Sequence, residues 1–224
     1  VIDEVVERIR DQSIVDFVYN PASASLEPDG RKLDACWGFG MPEQFLAIDD
    51  LSARHPGITA NIGPYYAEAA AVCLSRHHQT PISFALANND ETCSRLLAWT
   101  AADEATKAAW ANWDDATRDA AYCLALAAIE DQRQLVAVGR AQTHSGADYL
   151  LLPSGTAVSD FESAIRLEVS GTDAGSNAVI ARRTKEKLEQ TKRGESDSPA
   201  IAAVVGFKAK AITLQDLVND DLAG

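Results

Sequence analysis

The order of elements from residue 114 onward predicts a mixed α/β (α+β) protein built around one central sheet. Three observations carry that expectation. Residues 114–132 (DDATRDAAYCLALAAIEDQ) form an alanine-rich helical segment. Three β-like segments follow in close succession at 134–141, 146–153 and 162–171. A charged helical segment from Ser176 to about Arg193 then precedes an apolar, Val- and Ile-rich run at 199–212. Strands in series, then a helix, then a strand allow an antiparallel meander next to a parallel crossover.

Each element has a local reason. Residues 2–18 place Ile2, Val5, Val6, Ile9, Ile14 and Phe17 at roughly helical spacing, so a short helix is expected. Residues 20–64 are rich in Pro, Gly, Asp and aromatics and read as loops and short strands. YYAEAAAVCLSRHH (65–78) reads as a helix and PISFALA (81–87) as a short strand. In TAADEATKAAWANW, Thr100 or Asp103 can cap an alanine-rich helix. Alanine is the best helix former, and Asp114 and Asp115 suit the N-terminus of the segment that follows. The residues THSG separate the first two strands of the meander, and SGTAVSD (154–160) forms the next turn or loop. In ESAIRLEVSG, Ile165, Leu167 and Val169 point one way while Arg166, Glu168 and Ser170 point the other. Ser176 or Asn177 can cap the charged helix, residues 194–199 are a polar linker, and PAIAAVVGFKAKAI (199–212) reads as one buried strand. TLQDLVNDDLAG reads as a closing helical turn.

Composition narrows the function classes. The chain has 224 residues, 46% of them hydrophobic and 24% charged, as in ordinary globular proteins. No apolar run reaches the roughly 20 residues of a membrane helix. The charged, periodic opening VIDEVVERIR is unlike a secretory signal, so a cytoplasmic location without membrane contact is expected. Cys36, Cys73, Cys93 and Cys123 are widely spaced with no C-x-x-C pair, which argues for reduced thiols rather than a zinc site. The net charge of −13 is concentrated early: residues 1–131 carry 9 Lys and Arg against 21 Asp and Glu, whereas 132–210 carry 11 against 9. Residues 1–113 therefore read as an acidic, mostly helical and loop-rich region, and 114–224 as the core. Six cations lie between Arg182 and Arg193, so DNA contact, if made, is expected on the 176–193 helix through Arg182, Arg183, Lys185, Lys192 and Arg193.

Within the core, one constellation can carry chemistry. Hydrolysis of a phosphodiester needs a hard divalent cation, an activated water and charge neutralisation. Magnesium takes one or two carboxylates and keeps several waters. Asp148 sits in the second strand and Glu168 in the third, so antiparallel pairing can bring both to one point. Ser170 shares a face with Glu168. Lys187 and Gln190 are three apart on the following helix and are therefore neighbours, with the lysine able to orient water or neutralise charge.

The helix–strand–strand–strand–helix–strand order, with Asp148 in GADYLLLP and Glu168 in RLEVSG, resembles the core of the PD-(D/E)xK (restriction-endonuclease-like) nuclease superfamily. The resemblance covers about residues 114–210. It implies Mg (or Mn) held by Asp148 and Glu168. The lysine that the superfamily carries two residues after the glutamate is Ser170 here. In some members that lysine has moved to the next helix, joined by a glutamine, and Lys187 with Gln190 match those positions. An extra acid from the first helix would be Glu130. The function implied is metal-dependent DNA cleavage, as a nuclease or nuclease-like subunit, with phage defence or restriction as its setting. The alternative is a non-catalytic protein-interaction module on the same fold, and a protein partner or homo-oligomer is expected in either case.

Other candidates point to less. His77 and His78 are consecutive and read as surface residues, while His144 lies on the turn before Asp148, where it could serve as acid or base. Trp37, Trp99, Trp110 and Trp113 read as packing anchors. No nucleophile elbow, phosphate loop or HExxH motif occurs, which leaves little support for an unrelated metabolic enzyme.

Overall fold

The computed structural model describes residues 44–142, 145–156, 163–192 and 198–217. Its strands are β1 (Ile82–Asn88), β2 (Glu91–Leu97), β3 (Leu135–Arg140), β4 (Tyr149–Pro153), β5 (Ile165–Thr172), β6 (Ala200–Gly206) and β7 (Ala211–Asp216). The helices are α1 (Leu51–Arg54), α2 (Ile62–His77), α3 (Glu104–Ala109), α4 (Trp113–Arg133) and α5 (Asn177–Lys192). All seven strands form one mixed sheet in the order β2-β1-β7-β6-β5-β4-β3. β3, β4 and β5 are an antiparallel meander, and β6 returns parallel to β5 after α5.

Alternation along β5 sets up the layers. Leu167 and Val169 are buried in the main core, on the face that carries α4. Glu168 and Ser170 turn the other way and meet Lys187 and Arg183 of α5. The sheet is thus sandwiched, with α2 packed on α4 on one side and α5 on the other. Helix α4 is apolar almost all round from Ala120 to Ile129, because it is wedged between α2 and the sheet. Asn112 caps it by accepting from the Asp114 and Asp115 amides, and Asp103 caps α3 by accepting from the Thr106 amide at 2.7 Å.

Gly171 is what lets α4 lie so close to β5. A Cβ there would sit 2.6 Å from the Thr117 carbonyl oxygen and 2.9 Å from Ala121 Cβ, both on α4. Only glycine admits this approach.

The sequence expectations need correction in three places. The run at 199–212 is not one strand: it turns at Phe207–Lys210 and returns antiparallel as β7, so residues 213–216 extend a strand rather than a helical turn. Lys210 adopts a left-handed conformation at that turn (φ 55°). In the segment read as acidic and mostly helical, the strand expected at 81–87 forms as β1 and pairs parallel with β7 in the same sheet, and an unexpected second strand, β2, completes a hairpin with it. The strand read at 146–153 begins at Tyr149, which leaves Asp148 just ahead of it. The expected helix at 2–18, Trp37, Cys36, His144 and Arg193 lie outside the described residues.

Candidate active site

β4 is shorter than its neighbour, and that difference creates the site. It pairs with β5 only from Leu151↔Ile165 to Tyr149↔Leu167, while β5 continues to Thr172 against β6. Among the described residues, no strand pairs with β5 past Leu167 on the β4 side. Asp148 occupies the first step of that gap. Its amide donates to the Leu167 carbonyl at 2.8 Å, and its carboxylate Oδ2 accepts from the Val169 amide at 2.8 Å. A strand-edge N–H that would otherwise lack a partner thus fixes the carboxylate. On the other side, the Tyr122 hydroxyl of α4 donates to Asp148 Oδ1 at 2.7 Å. Burial and the Asp148 charge push the Tyr122 phenol well above its ordinary range, so it stays protonated and a donor.

A cavity of about 490 Å³ opens at this gap, between α4 and α5. Asp148, Glu168, Ser170, Lys187 and Arg183 all line it. Glu168 is only 5% exposed. Burial is the main reason its carboxyl is pushed above the ordinary range, and the Asp148 charge adds to this. Lys187 opposes both, with Nζ 2.6 Å from Glu168 Oε1. Lys187 Nζ also donates to Gln190 Oε1 at 3.1 Å. Ser170 Oγ accepts from Arg183 Nη1 at 3.3 Å, and the same nitrogen donates to the Gly171 carbonyl at 2.6 Å.

The predicted site residues divide accordingly. Asp148, Glu168, Lys187 and Ser170 are brought together. Gln190 is exposed and does not line the cavity, but it touches Lys187. Glu130 is elsewhere, bonded to Arg54 at 2.8 Å and 3.3 Å from His55 Nε2. Of the cations placed on α5, Arg183 turns inward to the cavity, whereas Arg182, Lys185 and Lys192 are exposed and Arg182 faces Glu186. His77 is not a free surface residue: its Nε2 lies 3.1 Å from Asp173, which also lines the cavity. His78 Nε2 is 2.8 Å from the Phe207 carbonyl oxygen.

Sequence reasoning missed Tyr122 and Trp113. Tyr122 sits in an alanine-rich stretch that reads as core, and nothing in its spacing marks one ring edge as facing Asp148. Trp113 is 62% exposed at the cavity mouth, where a packing tryptophan would be buried.

Two carboxylates that line one cavity and act on each other electrostatically are a suitable donor set for a hard cation that retains most of its waters. Among the described residues no group of three or more His, Cys, Asp and Glu side chains is placed to hold a metal, which does not suit a structural zinc. Comparison of the chain with models of protein families, with curated proteins and with solved structures gives no match.

Proposed function

We propose that the protein is a magnesium-dependent phosphodiesterase acting on DNA, with Asp148 and Glu168 as metal ligands and Lys187 as the charge-neutralising residue. The observation that carries this reading is the convergence of Asp148, Glu168 and Lys187 on one cavity, where β4 stops pairing with β5. The helix–meander–helix–strand order, with β6 parallel to β5, supports the PD-(D/E)xK-like reading of residues 114–210. So does the replacement of the missing strand lysine: Ser170 carries no charge, and the ammonium beside Glu168 comes from α5.

A divalent ion bound here supplies Lewis-acid polarisation of the phosphate and lowers the pKa of a bound water. The chain's own groups do the rest. The Val169 amide and the Tyr122 hydroxyl each occupy one oxygen of Asp148 and fix its rotamer. Lys187 counters the upward push that burial and Asp148 exert on the Glu168 carboxyl, and would place a positive charge beside the phosphate. Gln190 steadies that ammonium. The Asp148 charge opposes ionisation of Glu168, and a cation held by both residues would relieve this.

The test is cleavage of labelled DNA with magnesium or manganese, comparing wild type with D148A and E168A. Activity lost in both variants is the expected result; activity retained in both removes these residues from the chemistry. A second reading, a non-catalytic interaction module, is favoured by the fact that each acid already has protein partners. Under it, wild type cleaves nothing and co-purifies stoichiometrically with a protein.

A further inference from the structure

We propose that the nucleic acid taken by this site is single-stranded, with one unpaired base stacked on Trp113 and its phosphate contacted by Arg183. This rests on the phosphodiesterase reading of the same cavity and specifies its substrate.

Trp113 differs from the other described tryptophans. Trp99 and Trp110 are buried, and their Nε1 groups donate to Ser75 and Glu68. Trp113 is 62% exposed and lines the same cavity as Asp148 and Glu168. Its backbone is set as the first residue of α4, directly after the Asn112 cap. The Arg76 guanidinium lies 4.7 Å over its ring. Arg76 is itself anchored by Asp173 Oδ1 at 3.3 Å and the Trp110 carbonyl at 3.4 Å. One ring face is thus backed by a held cation, while the residue as a whole stays 62% exposed. Such a platform accepts the face of an unpaired base, and stacking there is tolerant of sequence. In a duplex those faces are already covered by neighbouring bases.

The cations point the same way. Arg183 lines the cavity, and its Nε and Nη2 have no partner among the described residues. Arg118 also lines it, but its nitrogens are taken by Asp115 and Asp119. On the exposed side of α5, Arg182 lies 3.5 Å from Glu186, which leaves Lys185 and Lys192 as a narrow pair of exposed cations, and the chain as a whole carries −13. A duplex presents roughly one charge per 1.7 Å along its axis and needs a broad cationic surface. A single strand entering a cavity of about 490 Å³ meets two cations of α5 there, Arg183 and Lys187.

The experiment measures binding and cleavage side by side on a short labelled oligonucleotide, offered as a single strand and as the same strand paired in a hairpin. Binding is read by anisotropy in calcium for wild type, W113A and W113F, and cleavage is read in manganese with D148A as control. The expected result is tighter binding of the single strand, a loss of about tenfold on that strand for W113A, and substantial rescue by W113F. Equal affinity for both forms, or no effect of W113A on the single strand, overturns the inference even if cleavage occurs. Trp113-dependent single-strand binding without any Asp148-dependent cleavage supports strand recognition and removes the hydrolytic reading instead.

Discussion

Asp148 is held by three groups from two elements: its own amide pairs to Leu167 and one carboxylate oxygen takes the Val169 amide, both on β5, while the other oxygen takes the Tyr122 hydroxyl of α4. The phenol is the one of these that substitution removes cleanly. Y122F keeps the ring between Tyr66 and Tyr149, at 5.5 Å from each, while deleting the donor. The expected outcome is a drop in metal-dependent rate of about 10- to 100-fold with little change in thermal stability. Lys187 behaves differently. K187M leaves Glu168 buried without its cation, so this variant is expected to lose activity and also about 1–3 kcal/mol of stability, measured by denaturant unfolding. In that background E168Q restores stability without restoring activity. A K187M protein as stable as wild type contradicts the role given to the pair.

At the scale of elements, two contacts decide how the layers sit. The first is Gly171 against α4. G171A forces a methyl into the Thr117 carbonyl and Ala121, and is expected to cost about 1–3 kcal/mol and to shift Tyr122 away from Asp148. A G171A variant with wild-type melting temperature and rate speaks against that packing. The second is His55, fully buried, which accepts the Ala137 amide of β3 on Nδ1 at 3.0 Å. Burial lowers its pKa below the ordinary 6.5, against the pull of Glu130 and with the push of Arg54. The unfolded chain therefore takes up this proton first as pH falls. The stability that neutral His55 contributes is complete above about 6.5 and is lost as pH drops through the window below it. Melting temperatures across that window should fall for wild type and fall less steeply for H55Q. Equal slopes exclude His55 as the cause. Much of this element layer was legible beforehand: the alanine-rich α4, the alternation in β5 and the charged α5 follow from periodicity that burial enforces. The hairpin at β6 and β7 was not, because FKAK carries no Gly-, Asn- or Pro-type turn residue, and Lys210 enters the left-handed region unannounced. β2 was missed because ETCSRLL, with only Leu97 fully buried, has too little apolar alternation to register.

Across the whole molecule, the nearness of Asp148 and Glu168 was legible from strand order, whereas i, i+3 spacing pairs Lys187 only with Gln190 and its place beside the acids was expected from the resemblance alone. The point where β4 stops pairing with β5 was not legible, because it is set by tertiary register rather than by residue type. Charge also acts at this scale. With −13 on the chain and only Arg118, Arg183 and Lys187 as cations lining the cavity among the described residues, polyanion binding should depend weakly on salt. A plot of log affinity for single strands against log salt should have a slope of about −1 to −2, and a slope near −6 or steeper would reveal a broad basic surface. The functional account depends on one physical event, a divalent ion shared by the carboxylates of Asp148 and Glu168. Calorimetric titration with manganese addresses it without any substrate. The account predicts one ion per chain for wild type, and none for D148N or for E168Q. Binding that is absent in wild type, or undiminished in both variants, contradicts it.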